Sequence, residues 1–139
     1  MNDEQQSDPL AMVRHAYESM RTADLDGLLA MIADGAVLTQ DPALPWGGRF
    51  VGRDGVATFA ITLVSTIESV VTIEAMYRAG EQVVQYGRTA GTVRATGASF
   101  DVPECHIWTI RDGRVVAMDF YIDTPAMLEA LGTDADAGI

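Results

Sequence analysis

The stretch that decides the fold is residues 107–132, IWTIRDGRVVAMDFYIDTPAMLEALG. Asp112-Gly113 separates two runs rich in β-branched and aromatic residues, the pattern of two strands joined by a tight two-residue turn. Pro125 then opens a helix with Met127, Leu128 and Leu131 on one face, and Gly132 ends it. The chain is therefore expected to finish as strand, turn, strand, short helix.

Upstream of that hairpin, residues 70–77, 82–94 and 100–110 read as strands, with Gly80 and Gly97 in the connections. Earlier still the period changes to that of helices. Residues 9–21 carry an apolar stripe of Val13, Ala16, Tyr17 and Met20 behind a cap at Ser7 or Asp8. A second helix starts near Asp24, carries Leu25, Leu28, Leu29 and Ile32, and is expected to end at Gly35. A short strand over residues 36–40, a Pro/Gly loop DPALPWGGRFVG and a third helix over residues 54–65 follow. Helices first and strands later predict an α+β fold with an antiparallel sheet. Several strands are apolar on both faces: Val83, Val84 and Tyr86, or Val115, Val116, Met118, Phe120, Tyr121 and Ile122. A sheet with one wet face would alternate more cleanly, so a second copy of the chain is expected to cover the face that the helices leave free.

The 139 residues are 48% hydrophobic, enough for one domain with a sizeable core over residues 9–132, and residues 1–6 and 133–139 are expected to fray. The net charge is −11 and all nine basic residues are arginine. No basic stripe suits nucleic acid, anionic membrane surfaces are disfavoured, and without lysine there is no Schiff-base chemistry. No apolar run approaches the roughly 20 residues of a membrane span. The start, MNDEQQSDPL, has no secretory pattern, and the lone Cys105 suits a reducing cytoplasm. His15, Cys105 and His106 show no metal-ligand spacing, and the glycines of GGRFVGRDG follow no βαβ pattern, so neither a metal nor a nucleotide cofactor is expected.

Three segments in order, AYESMRTADLDGLLAMIADGAVL, GGRFVGRDGVATF and IRDGRVVAMDFYIDTPAMLEALG, resemble the SnoaL-like and ketosteroid isomerase-like domains of the nuclear transport factor two-like superfamily. The resemblance covers roughly residues 10–132. It implies a cone-shaped, strongly curved sheet packed against the N-terminal helices, one deep and mostly apolar pocket, and a homodimer through the outer sheet face. Such a fold hosts many functions, so activity must be argued from the site.

Measured against ketosteroid isomerases, the resemblance puts the catalytic base at Asp41 if one residue is inserted in the preceding strand, and otherwise at Gln40. The tyrosine position falls on Ala16, beside Tyr17, and the second acid on Cys105. Against limonene-epoxide hydrolases Arg88 matches, while the two aspartates fall on Ala90 and Phe120. Against SnoaL-like polyketide cyclases the acid/base aspartate again falls on Phe120, with Asp119 one residue away and so on the opposite face unless a bulge intervenes. Asp41 is the leading acid/base candidate, since a carboxylate in an apolar pocket is made more basic; its other reading is a turn cap before Pro42. The family register places Cys105, Ile107 and Thr109 on the pocket face and turns His106 and Trp108 outward. His106 is either a hydrogen-bonded structural residue or a catalyst. Trp46, Phe59, Tyr86, Met118 and Phe120 are candidate pocket-lining residues, equally readable as core, with Arg88 and Cys105 beside them.

The functional expectation is cofactor-independent acid/base chemistry, of cyclase or isomerase type, on a hydrophobic polyketide-, steroid- or terpenoid-like molecule. Asp41 would be the base, with Tyr17, His106 and Asp119 as further catalytic candidates. The alternative is a binding module that uses the same pocket without chemistry.

Overall fold

The computed structural model describes residues 8–132; the expected fraying at both ends lies outside them. Helix α1 spans Pro9–Arg21, α2 Leu25–Leu29, α3 Gly52–Thr66 and α4 Thr124–Ala130. The strands are β1 Ile32–Gln40, β2 Gly48–Val51, β3 Ile67–Ala79, β4 Gln82–Val93, β5 Ser99–Arg111 and β6 Arg114–Ile122. They form one sheet in the order β2-β1-β6-β5-β4-β3.

The closing hairpin forms as its sequence dictates. Asp112 and Gly113 both take positive φ, 52° and 74°, the backbone of a tight turn that follows the strand twist. That turn aligns His106 with Phe120, Trp108 with Met118 and Glu104 with Ile122. Asp123 then caps α4, accepting a hydrogen bond from the Ala126 N–H at 3.1 Å.

Three elements differ from the sequence expectation. The second helix stops at Leu29, and Gly35 lies inside β1 instead of ending a helix. β1 starts early because Ile32 and then Val37, Leu38 and Thr39 pair in parallel with β6, an association between distant segments that local propensity does not encode. Residues 48–51, read as loop, form β2 against the end of β1.

Helices α1 and α3 lie on the inner face of the sheet, α1 over β3 and β4 and α3 over β1. Val13, Ala16 and Tyr17 of α1 and Val56 and Phe59 of α3 join Leu38, Val83, Trp108, Ile110 and Met118 in one continuous core. Bulges between Ile73 and Ala75 and between Thr109 and Ile110 bend the sheet around these helices. Gly87 permits the close approach of β3 to β4 beside the first bulge: a Cβ there would lie 1.9 Å from the Thr72 carbonyl oxygen.

Candidate functional site

Alternation along β5 decides which side chains enter the interior. Phe100, Val102, Glu104, His106, Trp108 and Ile110 point inward and are buried. Cys105, Ile107 and Thr109 point outward and are half-buried, which reverses the register expected from the family pattern. The physical reason is the bulk on the even positions. Turning Trp108 outward would expose an aromatic that is now 0% accessible, together with Phe100, Val102 and Ile110.

The inward register assembles a buried polar cluster with the Tyr17 hydroxyl at its centre. Trp108 Nε1 donates to that oxygen at 3.0 Å and Gln85 Nε2 at 2.9 Å. The same oxygen lies 2.7 Å from His106 Nδ1. Gln85 Nε2 also donates to Glu104 Oε2 at 3.0 Å. Burial pushes the His106 imidazole down to about 3, so it is neutral near neutral pH. With two donors already aimed at it, the Tyr17 oxygen gives its own proton to His106 Nδ1, which leaves the imidazole proton on Nε2.

Glu104 is the ionisable group that the sequence reading missed. Its side chain is fully buried, and burial raises its pKa to about 7; Gln85 opposes the shift and the Glu74 charge adds to it. His106 Nε2 lies 3.4 Å from Glu104 Oε2, the spacing of an ion pair. Burial disfavours the charged form of both groups, so below pH 7 this is a contact between neutral side chains. Burial also raises the Tyr17 pKa far above the ordinary phenol range, so the hydroxyl keeps its proton. Two side-chain atoms of the cluster, Gln85 Oε1 and Glu104 Oε1, are buried without a hydrogen-bond partner.

A cleft of about 380 Å³ opens where β1 ends beside β6, lined by Thr39, Gln40, Asp41, Pro42, Phe120, Tyr121, Ile122 and Thr124. Phe120 and Ile122 are the register partners of His106 and Glu104, so this cleft and the polar cluster are one strand apart. The Phe120 ring stands between them, 4.3 Å from the His106 ring centroid.

The other expected residues divide between the two faces. Asp41 lines the cleft but is exposed, and its Oδ1 accepts the Ala43 N–H at 2.9 Å, the turn-capping arrangement. Trp46, Phe59 and Met118 are core residues. Asp119 faces outward and accepts the Thr39 hydroxyl at 2.7 Å. Tyr86 and Arg88 also lie on the outer face, because β4 turns Val83, Gln85, Gly87 and Thr89 inward. Arg88 pairs there with Asp101 at 2.6 Å and is not among the residues that line the cleft. Among the described residues no group of His, Cys, Asp and Glu is placed to hold a metal ion, and no helix is long and apolar enough to cross a membrane.

Comparison with known proteins places this geometry among relatives. The family model described as SnoaL-like domain matches residues 13–118. A search of curated proteins returned no match. An NTF2-like protein of unknown function from Burkholderia pseudomallei is 27% identical, with a TM-score of 0.82 over 88% of this chain and 95% of that one. TerC, co-crystallised with polyporic acid, is 21% identical, with a TM-score of 0.79 over 87% of this chain and 95% of its own. A protein of ketosteroid isomerase-like fold from Catenulispora acidiphila, in complex with trimethylamine, is 21% identical, with a TM-score of 0.77 over 89% and 94%.

Proposed function

This chain belongs to the SnoaL-like domain family, and we propose that it works as a single-domain, cofactor-independent proton-transfer protein. Its cleft would take a hydrophobic small molecule of polyketide, steroid or terpenoid kind, for cyclisation or isomerisation. The observation that carries this reading is Glu104, a buried carboxyl whose pKa of about 7 lets it exchange a proton near neutral pH. As carboxylate, it takes a proton from the ligand. The electron pair left behind closes a ring or moves a double bond, and the proton returns to a different ligand atom. Tyr17, Gln85 and His106 act as positioning residues that hold the carboxyl in place. Asp41 is the weaker base candidate, since it sits in solvent at the cleft rim with one oxygen engaged by the turn. The co-crystallisation of TerC with polyporic acid supports a small organic ligand.

The test is solvent deuterium incorporation. Enolisable two-ring 1,3-diketones are incubated with the protein in D2O and followed by mass spectrometry. The wild type is expected to catalyse exchange, Glu104→Gln to abolish it, and Asp41→Asn to keep most of it. One observation favours a second reading, a binding module without chemistry: the Glu104 side chain is sealed from the cleft. Ligand binding by the wild type without exchange would select that reading.

The outer sheet face supports a homodimer. Val70, Tyr77, Tyr86 and Tyr121 are exposed on it, and Tyr77 and Tyr86 stack with ring centroids 6.4 Å apart. Light scattering is expected to give twice the chain mass, and Tyr86→Arg to shift it toward one chain. The free Cys105 on that face fits a reducing, cytoplasmic setting.

A further inference from the structure

We infer that the buried cluster recognises its ligand by accepting a hydrogen bond from it, so that the site selects molecules carrying an O–H or N–H over those offering only a carbonyl or ether oxygen. This rests on the reading above that the cleft beside β6 takes a hydrophobic molecule whose polar group meets Glu104.

The argument is a donor inventory. The Tyr17 proton goes to His106 Nδ1. The Trp108 N–H and one Gln85 N–H go to the Tyr17 oxygen. The other Gln85 N–H goes to Glu104 Oε2, and the His106 Nε2 proton faces the same oxygen at 3.4 Å. With Glu104 as the carboxylate, its form above pH 7, no donor in the cluster is left for a ligand. Two acceptors are left, Gln85 Oε1 and Glu104 Oε1, on side chains from adjacent strands that are otherwise hydrogen-bonded to each other. A buried acceptor without a partner is a standing destabilisation that a ligand donor relieves. A ketone oxygen brought to the same place would face two further oxygens and no proton. A ligand carbonyl would have to be polarised elsewhere in the cleft, since the donors of this cluster are already bonded within the protein.

The route is through the wall that β6 makes. Phe120 and Ile122 line the cleft on one side and pair with His106 and Glu104 on the other. For a ligand in the cleft to meet the two free acceptors, the Phe120 ring between them would have to swing aside. A flat two-ring molecule with one hydroxyl would lay its apolar surface against Phe120, Ile122 and Pro42 and aim its O–H at Glu104.

The experiment is isothermal titration calorimetry on the full chain at pH 8 with three probes of one skeleton: 2-naphthol, 2-methoxynaphthalene and 2-acetylnaphthalene. The wild type is expected to bind 2-naphthol at least about tenfold more tightly than either of the others. In Glu104→Gln the added amide N–H supplies a donor, and the preference is expected to fall below about threefold. Methoxy or acetyl probes binding as tightly as 2-naphthol to the wild type would overturn the inference and leave the pocket reading standing. Failure of all three to bind would overturn both. The wild-type comparison decides the matter even if the variant does not fold.

Discussion

The two faces of β5 show how differently one strand can use its charged residues. Outward, Asp101 meets Arg88 in an ion pair whose side chains are 62% and 43% accessible. Water screens it, and pairs of this kind contribute little. Three residues further along, Glu104 points inward with its side chain at 0% accessibility, and its environment alters its chemistry instead of its neighbours' stability. Both carboxyls are in reach of nitrogen donors. Burial makes the difference, and it turns one of them into a group that titrates near neutral pH. The lesson is that in this chain a position's face matters more to chemistry than its residue type.

The largest break in this comparison comes from the side chain that sets the register. Trp108→Ala removes the bulk that holds the even positions inward and a donor to Tyr17; a loss of about 3–5 kcal/mol in unfolding free energy is expected from urea titration. Next is the pH dependence. The Glu104 pKa rises from 4.5 to about 7 on folding, so the folded state holds a proton that the unfolded state has released between those values. Its contribution to stability is present below pH 4.5 and disappears as pH rises through 7. His106 runs the other way: its pKa falls from 6.5 to about 3, so its contribution is present above pH 6.5 and is lost as pH falls toward 3. The two slopes oppose each other between pH 4.5 and 6.5 and leave the wild type nearly flat there. Glu104→Gln removes one of them. Relative to wild type, that variant should gain about 3 kcal/mol in unfolding free energy between pH 4.5 and pH 8, as measured by urea titration at each pH.

Smaller effects follow. Tyr17→Phe strips the oxygen that accepts from Trp108 and Gln85 while keeping the ring stacked near His106. A loss of about 1–3 kcal/mol is expected, since both donors stay buried without an acceptor. Arg88→Ala, on the other face, should change stability by no more than about 0.5 kcal/mol. A large effect there would mean that the outer face is not as wet as its exposure indicates.

What could be read in the sequence follows the range of the interactions. The closing hairpin was legible because Asp112-Gly113 and the flanking β-branched runs settle it within a few residues. So was the α+β class, and the family resemblance implied the curved sheet on the first helices. The parallel pairing of β1 with β6 was not, since it joins residues about 80 positions apart through a backbone match that leaves no local signature. The β5 register was misread because CHIWTI offers apolar side chains to both faces. A signal was nonetheless present. Phe100, Val102, Trp108 and Ile110 all have even numbers, and extending that parity through the strand puts Glu104 and His106 inside with them. Glu104 carries no local mark of burial, since it stands between Pro103 and Cys105 and only the parity of the strand turns it inward. Asp41 drew attention as a strand-end acid, yet its surroundings are those of a turn.

The most direct test of the account is the titration of Glu104 itself, followed through its side-chain carboxyl carbon by NMR on the isotopically labelled protein, with Glu104→Gln to assign the resonance. The account predicts a midpoint near pH 7. A midpoint near pH 4.5, the value of an ordinary solvated glutamate, would contradict it.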